Sequence, residues 1–113
     1  MSSSIRQQKV SSLLQKELAI IFNRESKNLF NGSLITVTII RVSPDLGFAK
    51  VYLSFFLTED KDALLKNVRA HNAQIRYELG KVVGKQLRVV PGLQFYRDDS
   101  IDYAQNINEL LKK

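Results

Sequence analysis

Residues 34–57, LITVTIIRVSPDLGFAKVYLSFFL, constrain this chain more than any other stretch, because they read as two β-strands joined by a tight turn. Ile35, Val37 and Ile39 alternate with Leu34, Thr36 and Thr38, and Val, Ile and Thr suit a pleated, half-buried surface. Ser43-Pro44-Asp45-Leu46-Gly47 interrupts the run. Proline presets φ for a turn, aspartate bonds its own backbone, and Gly47 is the residue expected at positive φ. On the return strand Ala49, Val51, Leu53 and Phe55 share one face, and Phe48, Lys50, Tyr52 and Ser54 the other. A two-stranded ribbon is marginal alone in water, so a third strand and covering helices are required.

The flanking sequence supplies them. Ser4 is placed to cap a helix running to about Ser26, whose apolar stripe is Val10, Leu13, Leu14, Leu18, Ile21 and Phe22. Asn28 to Ser33, with Asn31-Gly32, reads as a polar loop. Beyond the hairpin, Thr58-Glu59-Asp60 caps a second helical pattern of Leu64/Leu65, Val68, Ile75, Leu79 and Val82/Val83. His71-Asn72 falls where an apolar residue is due, and asparagine prefers caps to helix interiors, so the helix is expected to break there. Gly80 and Gly84 weaken the second half. Leu93–Arg97 forms a third strand, and Asp98-Asp99-Ser100 caps a last helix with stripe Ile101, Ala104, Ile107 and Leu110/Leu111.

The order is therefore helix, strand, strand, helix-break-helix, strand, helix. A right-handed crossover lays the third strand parallel to the second. The expected fold is α+β, a three-stranded mixed sheet covered by helices on one face. All 113 residues are read as one domain.

Charge limits function. The chain carries +6 with a pI near 9.7. Between Lys61 and Arg88 seven basic residues face two acidic ones, a net +5 in one quarter of the sequence. That asymmetry favours a polyanionic partner over a uniformly solvated surface. Cysteine is absent, which excludes disulfides and thiolate metal sites. The start, MSSSIRQQKV, lacks the apolar core of a signal peptide, and no apolar run approaches the roughly 20 residues of a membrane span. The expected location is the cytoplasm, with no membrane association.

Several blocks, in this order and spacing, resemble the ribosome-binding factor A family of small-subunit ribosome assembly factors. They are Thr36-Val37-Thr38, Val42-Ser43-Pro44-Asp45-Leu46, Ala49-Lys50-Val51-Tyr52-Leu53-Ser54, Ile75-Arg76, Leu87-Arg88-Val89-Val90-Pro91-Gly92-Leu93-Gln94-Phe95 and Asp98-Asp99-Ser100. The resemblance runs from about Arg6 to Leu111. It implies a type II KH-like domain and binding to the small ribosomal subunit and its rRNA as a monomer. It also implies a role in late subunit maturation, notably in the cold. The sequence departs from the family in three places: His71-Asn72-Ala73 where Ala-x-Gly is usual at the break, Asn28-Leu29-Phe30 where an Asp-Pro is usual, and a slightly longer stretch from Gly80 to Gln86. The Gly-x-x-Gly loop by which KH domains clamp a nucleic-acid backbone is missing; Gly80 and Gly84 do not replace it.

RNA contact is then expected from side chains beside the helix break. Lys66, Arg69, Arg76 and Arg88 are assigned to phosphates, with Lys81 and Lys85 beside them, and His71 or Asn72 to a base or sugar edge. The alternative for His71 is a half-buried polar filler, and for Arg88 a pairing with Asp98 or Asp99. Arg6 and Lys9, with Lys16, extend the footprint along the first helix or merely solvate it. Lys50 and Tyr52 are expected to be structural surface. Because Arg69 and Arg76 read as surface groups, reversing both charges should abolish subunit binding and leave the melting curve nearly unchanged.

One histidine and no metal-ligand spacing argue against an enzyme, and no cofactor or metal is expected. Asp98, Asp99 and Asp102 suit a helix N-terminus better than a metal or a hydrolase centre. A protein-interaction module using the first helix's stripe or an exposed sheet edge is the alternative function.

Overall fold

The hairpin forms, with one change of phase. In the computed structural model, which describes residues 4–56 and 58–98, β1 (Leu34–Val42) pairs antiparallel with β2 (Phe48–Phe56). Ala49, Val51, Leu53 and Phe55 are all buried, as the alternation requires. On β1, Ile35 and Val37 are buried, but a bulge between Val37 and Ile39 then shifts the register. Ile39 stands 42% exposed, and Ile40 and Val42 take the core positions. One extra residue in a strand of period two moves everything after it to the other face. Thr38 sits at the bulge with its hydroxyl 2.6 Å from Asp98 Oδ2 and 3.1 Å from the Tyr52 carbonyl oxygen.

The turn also differs from expectation. Leu46, not Gly47, takes the positive φ, at 62°. A side chain there costs about 1–2 kcal/mol. Asp45 fixes the loop by accepting hydrogen bonds from the Ser43 hydroxyl at 2.6 Å and the Gly47 N–H at 2.9 Å. Gly47 is needed for closeness instead, since a Cβ on it would stand 3.2 Å from the Asp45 carboxylate.

β3 (Gly92–Arg97) runs parallel to β2, giving the order β1-β2-β3 with β2 central. The helices cover one face. α1 (Ile5–Arg24) starts on a capping box between Ser4 and Gln7 and buries Val10, Leu14, Leu18, Ile21 and Phe22. The expected loop after it begins instead with a four-residue helix, α2 (Ser26–Leu29), and turns at Asn31 and Gly32, both at positive φ. Phe30, between them, is fully buried, 5.7 Å from Phe22 ring to ring, and Phe22 in turn meets Phe95 at 6.0 Å. Burying such a ring contributes about 1.5–3 kcal/mol, so this polar-looking loop contributes to the core.

Asp60 caps α3 (Lys61–Ala70), its side chain accepting from the Ala63 N–H at 3.0 Å. The helix breaks at His71, as the sequence indicates, and α4 runs Asn72–Val83. Leu64 and Val68 before the break, and Ile75, Leu79 and Val83 after it, point into the same core. The helix expected over Ile101–Leu111, with Asp99, Ser100 and Asp102, lies outside the described residues. No described helix is long and apolar enough to cross a membrane.

Candidate nucleic-acid interface

A strand at the edge of a sheet turns alternate backbone groups away from its neighbour, and these need partners. On β3 and the residues leading into it, helix side chains meet those carbonyls. Arg69 reaches the Phe95 oxygen through Nε at 3.1 Å and a terminal nitrogen at 2.8 Å. Asn72 Nδ2 donates to the Leu93 oxygen at 2.8 Å. Arg76 donates to the Pro91 and Val90 oxygens at 3.2 and 2.6 Å. Positions 69, 72 and 76 follow the spacing of one helix face, and across the break at His71 their contacts run in order along the strand.

Three of the expected RNA contacts thus hold the fold together as well. The expectation that reversing Arg69 and Arg76 leaves the melting curve unchanged is corrected: both are edge caps. Their charge survives, because carbonyls neutralise nothing. Each guanidinium has five N–H donors and commits about two. Arg69 also lies 5.8 Å from the Tyr96 ring, which stacks on Tyr52 at 5.5 Å.

The other expected residues fall into three settings. Lys66 is exposed on α3, and Lys85 beyond α4, each without an ion pair to a described residue. His71 is half-buried, edge-on to Phe30 at 6.0 Å, with Nδ1 2.9 Å from the Asn67 oxygen. A carbonyl only accepts, so Nδ1 carries the proton and Nε2 is the nitrogen left for an outside partner. Lys81 pairs with Glu78 at 3.3 Å and lies over the Tyr77 ring at 4.6 Å. Glu78 also pairs with Arg24 at 3.3 Å, so the charge at Lys81 is partly compensated. Arg88 has no ion pair to a described residue. It lines a groove with Arg6 and Lys9 that adjoins the Pro91 end of the carbonyl row.

Sequence reading missed Arg41. Past the bulge it stands on the outer face directly opposite Lys50, and like charges in that relation destabilise a sheet. Phe48 stands beside them, 57% exposed. Only the bulge, which carries no sequence signal, puts Arg41 there.

The features on which a protein-interaction module would rely are occupied. The stripe of α1 is in the core. Gln7, Ser11 and Gln15 of α1 donate to the Val42, Ile40 and Val37 oxygens at 2.8, 2.9 and 3.1 Å, so from Val37 to Val42 the β1 edge is capped too. Among the described residues no three His, Asp or Glu side chains are gathered as a metal site.

Comparison with known proteins places this geometry in a family. A sequence profile described as ribosome-binding factor A matches residues 6–111. A ribosome-binding factor A from Cytophaga hutchinsonii is 47% identical over 110 residues, spanning 97% of this chain and 83% of its own length. The crystal structure of ribosome-binding factor A from Thermus thermophilus shares the fold at a TM-score of 0.68 and 21% identity, covering 80% of this chain and 94% of that one. A homology model of the Thermus thermophilus ribosome-binding factor A, fitted into a cryo-electron-microscopy map of its complex with the 30S subunit, superposes at 0.61 with 26% identity. It covers 79% of this chain and 91% of that one. The architecture is KH-like.

Proposed function

The chain belongs to the ribosome-binding factor A family, and from that premise we propose that it binds the small ribosomal subunit and serves its late maturation, holding rRNA on the basic face of α3 and α4. The observation that carries this reading is the row of Arg69, Asn72 and Arg76 on the β3 carbonyls. An arginine in an internal ion pair has its charge cancelled. One anchored to a carbonyl is held in place with its charge intact, and fixing a long side chain beforehand removes part of the entropy cost of binding.

In this mechanism the remaining donors of Arg69 and Arg76 meet phosphate oxygens in the planar fork that suits them. Lys66 adds a mobile point charge, and His71 Nε2 accepts from a 2′-hydroxyl or base amine. The 30S complex reported for the Thermus thermophilus relative supports the small subunit as partner. The cytoplasm is the compartment this function requires.

Co-sedimentation with immature and mature small subunits, across a salt series, is the test. The double variant Lys66→Glu, His71→Ala should lose at least tenfold in affinity for immature subunits. Wild-type binding should weaken with salt by about 0.7 in log K per log salt for each single-strand phosphate contacted. A profile flat in salt would overturn the rRNA reading.

A further inference from the structure

Three of the cations expected at the interface, Arg6, Lys9 and Arg88, do not belong to the carbonyl row. They surround a groove of about 640 Å³ between the start of α1, the β1–β2 turn and the segment joining α4 to β3. None of the three has an ion pair to a described residue. The only acidic side chain among the described lining is Asp45, and its carboxylate is engaged by its own turn, through the Ser43 hydroxyl and the Gly47 N–H. Inside the cationic rim the lining is apolar: Leu13, Leu46 and Leu87, with Val89 67% exposed. Leu46 lines the groove from a left-handed backbone conformation, at φ 62°. A residue with a Cβ is held there only by its surroundings, and such positions cluster at binding sites.

We propose that this groove is a second nucleic-acid site, which takes one unpaired base on its apolar lining while Arg6, Lys9 and Arg88 hold the phosphates that flank it. The inference rests on the reading that the chain binds rRNA, and adds to it a single-stranded element and a place for it. The volume admits a base together with part of its flanking backbone. Charge selects the class of occupant. An apolar protein side chain would leave three cations unmatched at the rim, whereas any inserted base brings a phosphate on either side. Contact between a base face and aliphatic side chains carries no hydrogen-bond readout, so the site should read the presence of a base more than its identity.

The test uses the full chain and two eight-nucleotide single-stranded RNAs, one with 2-aminopurine at its centre and one abasic at that position. Wild type should bind the base-bearing RNA about tenfold more tightly, from burial of one base face against aliphatic side chains, with 2-aminopurine fluorescence rising as the base leaves its neighbours. Val89→Ser, at an exposed position that folding does not depend on, should erase the tenfold preference. Leu46→Gly, which relieves the backbone strain, should do the same. Arg6→Ala and Arg88→Ala should weaken both RNAs alike. Equal wild-type affinity for the two RNAs, with salt dependence intact, would end the groove proposal and leave rRNA binding standing. No salt-dependent binding of either RNA would end both. A photo-crosslinker placed at Val89 should join to RNA in immature subunits, and a protein adduct instead would overturn the assignment.

Discussion

Arg69 on α3 and Phe95 on β3 are joined by a forked hydrogen bond, with Nε at 3.1 Å and a terminal nitrogen at 2.8 Å from one carbonyl oxygen. The fork ties the helix before the break to the open edge of the sheet and leaves the guanidinium charged. One residue therefore serves stability through its donors and, in the proposed function, recognition through its charge. The two roles are separable by experiment, because they depend on different properties of the same group.

Arg69→Ala removes both. Hydrogen bonds to charged groups contribute roughly 1.5–3 kcal/mol, and rehydration of a surface carbonyl recovers part of that. A loss of about 1–2 kcal/mol follows, lowering Tm by roughly 5–10 °C in a domain of this size. Arg69→Lys keeps the charge and loses the fork. It should melt near the alanine variant and bind subunits more tightly than that variant but more weakly than wild type, as calorimetry beside co-sedimentation will record.

Lys66 has no ion pair to a described residue, so its removal isolates the electrostatic contribution. Lys66→Ala should reduce the salt slope of subunit binding by about 0.7 if it meets one single-strand phosphate. Its stability should stay within about 0.5 kcal/mol of wild type. An unchanged slope would remove Lys66 from the interface.

Gly80 and Gly84 respond oppositely to alanine. A Cβ on Gly80 meets only Val90 Cγ2, at 3.7 Å, an ordinary contact. Gly80→Ala should then stabilise by up to about 1 kcal/mol through helix propensity. A Cβ on Gly84 would stand 2.6 Å from the Gly80 oxygen, which is backbone and cannot step aside. Gly84→Ala should lower stability, since Gly84 is the C-cap of α4 and gains little from interior helix propensity. Denaturant midpoints of the two variants, on either side of wild type, are the check.

The β1–β2 turn titrates. The Ser43 hydroxyl first, and then the Gly47 N–H, hold the Asp45 carboxyl below its ordinary range. A carboxyl with a lowered folded pKa adds stability above its unfolded value, near 3.9, and loses it as pH falls through the folded value. Ser43→Ala should therefore be less stable than wild type at pH 6, with the gap narrowing towards about pH 2. It should not close fully, because Ser43 Oγ also accepts from the Phe48 N–H at 3.0 Å whatever the pH. Melting curves from pH 6 to 2 measure the narrowing.

The departures from sequence expectation have distinct physical origins. Phe30 sits in a stretch of Asn, Gly and Ser, and only the return of the chain past α2 turns it onto Phe22. The bulge after Val37 leaves the β1 residues as strand-like as before and merely reverses their faces. Leu46 takes the strained φ beside an available glycine, while a Cβ on Gly47 would stand 3.2 Å from the Asp45 carboxylate. The basic residues of the 61–88 segment were legible as charge, but not their grouping. Arg69 and Arg76 went to one strand edge, Lys81 to Glu78, and Arg88 to a groove with Arg6 and Lys9.

By itself the sequence determined the three strands, the helices α1, α3 and α4, their order, the break at His71-Asn72 and the excess of positive charge, because periodicity, capping and composition are local properties of a chain. Tertiary structure alone decided which cations are anchored, which are compensated and which are left to meet a partner. That outcome depends on where carbonyls of a strand edge come to lie against helix residues 14 to 26 positions earlier, and no local pattern records it.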